Sequence, residues 1–444
     1  HHDAGALWLA CAGVVALVLI LFDGGLNTPP AALRPVAAPS LTLATLGVVV
    51  TAVIVGAFAH FAGGLAWPIG LLIGSVVSST DAAAVFATLR GSGISLKPRV
   101  GRILEAESGL NDPVAIILTI SLTTIVLNRE LSGGEGVWLL PALAALEIAI
   151  GGAMGWLAGT LSGKLLTRVR LESAGLYPVL TLAIALSVFG VTTLIHGSGF
   201  MAVYVAGVVL AGADQLPHRP AILRVHDAFG WLAQIGMFLV LGLLAFPTRL
   251  AAATLPGLAL ALVLTLIARP AAVALCLAPF RYSLRETLFI RVVGLRGAVP
   301  VVLATIPVMA GVTGGRRIFD VVFFIVVVNT LMPGTIVAWL ARRLGVVGVS
   351  SPEPAATIVV ESSVPMQSSL RSYFVDRALP VCGVPLAEIP FPDDAAVTMI
   401  VRGTSLLVAD GATILKPGDH VYVLASPEAE PMVQLLFGRP EILE

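Results

Sequence analysis

Apolar residues run through this chain in eleven long stretches with short polar connections between them. They lie at roughly 6–26, 41–62, 67–89, 103–127, 139–163, 176–195, 199–213, 228–247, 251–279, 287–310 and 318–341. Stretches of about 20 apolar residues cross a ~30 Å hydrocarbon core as α-helices. Gly197-Ser198-Gly199 interrupts the pair around 176–213. Beyond residue 370 the pattern changes to short alternating runs. Positions 371–376, 397–402, 406–409 and 420–425 predict strands, and 428–437 predicts a closing helix. Lys416-Pro417-Gly418-Asp419 predicts a tight turn before the last strand. Residues 345–369, rich in Ser, Pro and Val, read as a linker. The organisation expected is a membrane domain over 1–344, a linker over 345–369 and a soluble domain over 370–444.

Composition sharpens this picture. Of 444 residues, 57% are hydrophobic and 12% charged, about half the usual ~25% charged. Mean hydropathy is +0.98. An ordinary soluble enzyme, a disordered tail and a coiled coil are excluded. The formal net charge is zero, so no basic surface advertises nucleic-acid binding. Cys11, Cys276 and Cys382 are too far apart for a disulfide framework or metal-ligand spacing. The last hundred residues hold 12 of the 26 acids, as a soluble domain would. Connections on the side of that domain carry 14 Lys and Arg, against 4 on the opposite side. The positive-inside rule therefore puts the soluble domain in the cytoplasm. The chain opens His1-His2-Asp3, without an initiator Met, and an N-terminal portion is expected to precede it.

Charges inside hydrocarbon cost several kcal/mol, so each is a functional candidate. Asp23 ends the first stretch, and Asp81 follows Ser78-Ser79-Thr80 inside the third. The fourth carries Glu105, Glu107 and Asp112, and the tenth carries Arg291 and Arg296. On a helix, Glu105, Ser108 and Asp112 share one face, and Glu107 and Asn111 a neighbouring one. Pro113 has no N–H and leaves the Gly109 carbonyl unpaired. A carbonyl, a hydroxyl and a carboxylate together suit a dehydrated alkali cation. The third and tenth stretches both carry breaks, at Ser78–Asp81 and Gly294–Pro300. Broken helices in corresponding positions of two repeats mark a transporter's midplane site. Asp81 and Arg296 are then expected to neutralise opposed helix ends. Glu107 and Arg296 are expected to form a structural ion pair. Arg269, followed by Pro270, is expected to snorkel or pair.

Other classes fit less well. A channel would need a filter, and Thr-Val-Gly-Tyr-Gly does not occur. Gly197-Ser198-Gly199 after His196 suggests a serine nucleophile only superficially, and a Gly/Ser helix break explains it better. His-Glu-x-x-His is missing, so a metalloprotease is not expected. The chain reads as a transporter and not an enzyme.

The blocks LFDGGL (21–26), SSTDAAAVF (78–86), ESGLNDPVA (107–115), GSGFMAVYVAG (197–207) and GLRGAVP (294–300) resemble the monovalent cation:proton antiporters of the first branch of that superfamily. The likeness is greatest to bacterial potassium/proton antiporters of the cell-volume-regulation type. It spans nearly the whole membrane domain. It implies an all-α polytopic membrane domain with inverted repeats and crossed broken helices, sodium/proton antiporter-like, in a bacterial inner membrane. By motif, Asp112 would alternate between a proton and K⁺ or Na⁺. Ser108 would ligate the cation through its hydroxyl, Thr80 through its carbonyl, and Asp23 would lie on the approach. Asp81 and Asn111 would support the crossover, and Glu107 with Arg296 would stabilise it. The family's membrane domain has thirteen helices. The first stretch here matches the third, so two N-terminal helices are expected to be missing. Asn111 beside Asp112 leaves one titratable group for proton or cation, which implies 1:1 electroneutral exchange. Residues 370–438, with LKPGDHVYVLASPE, resemble a TrkA-C domain, a small α+β unit. The resemblance implies a homodimer in lipid, no resident cofactor, and a small ligand or nucleotide on the tail, or a dimerisation module without one. No Gly-x-Gly-x-x-Gly follows a strand, so NAD is not expected.

Overall fold

The computed structural model describes residues 2–128, 135–213, 216–244, 247–348, 369–438 and 440. Arg129, one of the four basic residues counted above on the side opposite the soluble domain, and linker residues 349–368 lie outside them, as do 441–444. The chain divides into two compact units.

The larger unit is helical. Its helices are α1 (His2–Leu26), α2 (Pro30–Phe61), α3 (Trp67–Val76), α4 (Ala82–Arg90), α5 (Pro98–Leu127), α6 (Glu135–Arg168), α7 (Leu176–Leu194) and α8 (Gly199–Ala211). They continue as α9 (Arg219–Leu244), α10 (Ala251–Leu277), α11 (Leu284–Val292), α12 (Ala298–Met309) and α13 (Gly315–Leu344). Among the described residues, α2, α5, α7, α10 and residues 142–168 of α6 are each long and apolar enough to cross a membrane. The bent α13 makes a sixth such span, turning by 46° between Leu331 and Thr335. Three more of the expected spans are shorter apolar helices, for a physical reason. The stretch at 67–89 breaks after Val76, where the Ser78 hydroxyl donates to the Ser75 carbonyl and Ser79 and Thr80 turn their hydroxyls to α5. The stretch at 287–310 breaks over Val293–Gly297 between α11 and α12. The Gly197-Ser198 turn separates α7 from the short α8, which Ser198 caps by accepting from the Met201 N–H.

One three-helix plan occurs twice: a long helix, a broken helix, then a second long helix containing a proline. It runs α2, α3/α4, α5 and again α10, α11/α12, α13. Both first helices contain a π turn, at Leu43–Gly47 and Leu264–Ala268. The two plans share one apolar core, in which Val55, Leu72, Ile116, Leu264, Val301 and Val322 are buried. A second cluster joins α1 to α6–α9 through Phe22, Leu166, Ala202 and Ile222. Large side chains point outward from α6 and α9, among them Leu146, Trp156, Leu161, Leu239 and Leu243. An outside of that kind is solvated by lipid tails rather than water.

The smaller unit holds β1 (Ser369–Phe374), β2 (Ala395–Arg402), β3 (Ser405–Val408), β4 (Asp419–Ala425) and α14 (Glu430–Phe437). The sheet is antiparallel throughout, in the order β1-β4-β2-β3. β4 is the buried central strand. Its Val421 and Val423 pack with Tyr373, Ile400, Val433 and Phe437. The turn before it has Gly418 at φ 93°, which a side chain would strain.

Candidate functional site

The two breaks meet at the backbone. The Asp81 N–H donates to the Leu295 carbonyl at 2.9 Å. Each break exposes chain ends that need partners, and each supplies partners to the other. Asp81 caps α4 by accepting from the Ala84 N–H at 3.1 Å. Its other carboxylate oxygen accepts from Gln234 Nε2 of α9 at 2.9 Å. Arg296 enters from the opposite break. Its Nη1 donates to the Ser78 carbonyl at 2.9 Å and to the Ser79 carbonyl, at the end of α3. A carboxylate at a helix N-terminus and a guanidinium at a helix C-terminus both oppose the local dipole charge. Gly297 has no alternative here, because a Cβ on it would run into the Asp81 carboxylate.

Helix α5 lies across this junction with a polar face. The Ser79 hydroxyl donates to Asp112 Oδ1. The Ser108 hydroxyl donates to the Thr80 carbonyl at 2.8 Å and accepts from the Ala82 N–H at 3.1 Å. Asn111 Nδ2 donates to the Thr80 hydroxyl at 2.6 Å, and Asn111 Oδ1 accepts from the Thr80 N–H at 3.4 Å. Asp112 is 6% exposed and Asn111 1%. Asp112, Ser108, Thr80, Asn111 and Asp81 thus form one cluster. The carbonyl beside Ser108 is that of Thr80, supplied by the break, rather than the Gly109 carbonyl that Pro113 frees. Gly109 instead lets the Tyr204 ring of α8 lie against α5, since a Cβ there would sit 2.5–2.7 Å from that ring and its hydroxyl. No hydrogen bond joins Asp23 to this cluster among the described residues. Its carboxylate accepts from Asn27 Nδ2 at 3.0 Å and stands against Gly230 of α9.

The expected Glu107–Arg296 pair is not formed. Glu107 is bound bidentately by Arg269 of α10, with Nη1 on Oε1 and Nη2 on Oε2 at 2.9 Å. Arg269 also donates to the Ile290 carbonyl at 3.4 Å. The reason is geometric. The guanidinium of Arg296 is drawn to the bare carbonyls at the end of α3, and Arg269 reaches Glu107 from the side facing α11. Sequence reasoning missed Ser79 and Gln234, and it expected Arg269 to snorkel or pair without naming Glu107 as its partner. Ser79 adjoins Thr80 in the same polar run, and Arg269 was visible as a charge in an apolar helix. Gln234, one amide in a long helix, gave no signal.

No group of three or more His, Cys, Asp or Glu side chains converges among the described residues. The cluster instead offers the Asp112 carboxylate, several hydroxyls and backbone carbonyls, with the second carboxylate, Asp81, taken by the Ala84 N–H and Gln234. That donor set takes a proton or a weakly held hard cation.

The model for the sodium/hydrogen exchanger transmembrane family matches residues 3–343. The chain belongs to the sodium/hydrogen exchanger family. The TrkA-C domain model matches residues 370–438 of this exchanger. It is 40% identical over 427 residues to the K(+)/H(+) antiporter NhaP of Alkalimonas amylolytica, covering 96% of this chain and 73% of that protein. It is 39% identical over 427 residues to the K(+)/H(+) antiporter NhaP2 of Shewanella oneidensis, with the same coverage. The sodium proton antiporter MjNhaP1 of Methanocaldococcus jannaschii superposes with a TM-score of 0.65 at 25% identity, over 75% of this chain and 85% of that one. The exchanger is a polytopic membrane protein that exchanges a monovalent cation for a proton.

Proposed function

We propose that this exchanger moves K⁺ against H⁺ at Asp112, with one carboxylate holding either ion in turn. The observation that carries the reading is the buried Asp112 carboxylate, set where two broken helices cross and accepting from the Ser79 hydroxyl, with the Ser108 hydroxyl on the Thr80 carbonyl in the same cluster. Ser108 and the Thr80 carbonyl supply cation ligands, and Asp23 lies on the approach. Asn111 is neutral, so the site carries one exchangeable charge, and exchange is 1:1 and electroneutral. No covalent step and no resident cofactor are involved. The potassium assignment is supported by two relatives, each about 40% identical, that are named as K(+)/H(+) antiporters. The MjNhaP1 neighbour is a sodium proton antiporter, so Na⁺ is the second reading. The Lys and Arg bias of the connections supports an inner-membrane protein with its TrkA-C domain in the cytoplasm. That domain regulates exchange, through a small ligand or nucleotide or through dimerisation, in a homodimer surrounded by lipid.

The test is cation-driven proton movement in proteoliposomes across a preset pH gradient, adding KCl and NaCl in turn. Collapse of the gradient by KCl alone supports the reading. Collapse by NaCl alone replaces potassium with sodium. Full activity in Asp112→Asn refutes the role of Asp112.

A further inference from the structure

The two three-helix plans can be compared residue by residue at their breaks. In the first, α4 is capped by Asp81, and the residue before the cap is Thr80. In the second, α12 follows Gly297, and the residue before that is Arg296. The Thr80 carbonyl accepts from the hydroxyl of Ser108, on the third helix of its plan, at 2.8 Å. The Arg296 carbonyl accepts from the hydroxyl of Thr330, on the third helix of the other plan, also at 2.8 Å. Both donors precede a helix proline, Pro113 and Pro333. The same latch, a hydroxyl from the third helix on the carbonyl just before the break's N-cap, thus occurs twice.

The second latch is not a second cation site. Among the described residues no carboxylate bonds to it, and the residue it holds is an arginine. Arg296 is itself 1% exposed, and its side chain grips the first break through the Ser78 and Ser79 carbonyls. Ser79 then donates to Asp112. A continuous path therefore runs from the Thr330 hydroxyl to the Arg296 backbone, through its guanidinium to Ser79, and on to Asp112. We infer that Thr330 is a positioning residue for the exchange site, fixing through Arg296 the strand of chain that carries Ser79 and Thr80. The inference rests on Asp112 being the exchanging carboxylate.

A bland reading competes. Thr330 Oγ1 also lies 2.8 Å from the Val326 carbonyl one turn back, the bond any helical threonine can make. A hydroxyl has one hydrogen to give, so the two acceptors share it. If only the Val326 bond mattered, nothing beyond the local helix would respond to its loss. If the Arg296 bond matters, the effect appears at the other break.

The experiment uses the full chain and the isosteric Thr330→Val, with Thr330→Ser as the conservative variant. Two readouts are taken. The first is hydrogen–deuterium exchange of the purified protein over residues 77–82 and 293–298. The second is cation-driven proton exchange in proteoliposomes with KCl and NaCl, over a range of cation concentrations and pH. Thr330→Val is expected to speed deuterium uptake in both segments. It is also expected to raise the half-saturating cation concentration about three- to tenfold, the equivalent of one net hydrogen bond. Maximal rate per folded molecule changes less, and Thr330→Ser stays near the parent in both readouts. Unchanged uptake over 77–82 in Thr330→Val overturns the inference, whatever the transport result. So does a fall in protein yield with half-saturation and pH profile unchanged. If Thr330→Val does not insert, Thr330→Ala is judged by the same criteria. A parent chain that exchanges neither cation, with uptake changed in the variant, fails the exchange reading and leaves the positioning link standing.

Discussion

Truncating Arg269 separates the ion pair that the structure contains from the one that the sequence suggested. Glu107 and Arg269 are 1% and 6% exposed and bonded at both carboxylate oxygens. Removing one partner leaves a buried charge with nothing to balance it, which costs about 3–5 kcal/mol. At roughly 2–4 °C per kcal/mol, Arg269→Met lowers the apparent melting temperature by about 6–20 °C. Glu107→Gln destabilises less, because the amide still accepts a hydrogen bond from the guanidinium. The double variant recovers part of the loss, since no unbalanced charge remains. The assay is thermal unfolding of the purified protein in detergent at a fixed scan rate, as unfolding of such proteins is rarely reversible. A cycle of the four proteins should give a coupling between positions 107 and 269 of at least ~2 kcal/mol. A parallel cycle between 107 and 296 should give clearly less, because Arg296 spends its hydrogen bonds on the Ser78 and Ser79 carbonyls. A 107–269 coupling below ~0.5 kcal/mol, or a larger 107–296 coupling, would refute the reasoning.

Three further outcomes follow from the geometry. Asp112→Asn should abolish cation-driven proton exchange at normal abundance, because an amide cannot take up and release the proton; residual exchange well above empty liposomes contradicts this. Gly297→Ala forces a methyl onto the Asp81 carboxylate and should cut exchange about tenfold or more while lowering folded yield; parental exchange would show that the breaks are not tightly packed. In the smaller unit, buried Asp419 accepts from Arg402 Nε and Nη2 and from the Lys416 N–H, each at 2.8 Å. Asp419→Ala should destabilise that unit by about 2–4 kcal/mol and speed tryptic cleavage within 369–438 of the full chain. An unchanged digestion rate there would count against the pair.

Helix positions were legible because lipid leaves the sequence little freedom: every spanning segment must be apolar and helical. The breaks were legible for the converse reason, since Ser78-Ser79-Thr80-Asp81 and Gly294–Pro300 are polar or helix-breaking runs in apolar surroundings. Periodicity along α5 placed Ser108 and Asp112 on one face, and the structure brings both to the same break. Pairing between distant helices was not legible. Glu107 had three arginines within the apolar segments to choose from, Arg269, Arg291 and Arg296, and spacing along each helix says nothing of which reaches it. The choice depends on the bare carbonyls of Ser78 and Ser79, a demand visible only once the chain is folded. Gln234 illustrates the same limit. Its amide meets Asp81 only because α9 passes the crossing.

The hydrogen bonds at the crossing also bear on how one site can serve two ions. Ser79 gives its hydrogen to Asp112, and Ser108 gives its own to the Thr80 carbonyl while accepting from Ala82. These bonds join the cluster's hydroxyls to protein groups, which helps them stand in an apolar interior. A hydroxyl carries one hydrogen and two lone pairs. If the Ser108 hydrogen turns away, the hydroxyl oxygen and the Thr80 carbonyl become available together, two ligands for one bond given up. The Ser79 hydrogen does the same for its own oxygen and Asp112. On the proposed reading, proton and cation then alternate at Asp112 by rotating hydroxyls, with the backbone held by Arg296 and Asp81. Ser108→Ala removes one ligand and leaves the Ala82 N–H and the Thr80 carbonyl without their partner. It should raise the half-saturating cation concentration at least tenfold, whereas Ser108→Thr, which keeps the hydroxyl, should change it by less than about threefold. Equal half-saturation in Ser108→Ala and the parent, measured in proteoliposomes at one pH, would show that the hydroxyl only fastens α5 to the break and never touches the ion.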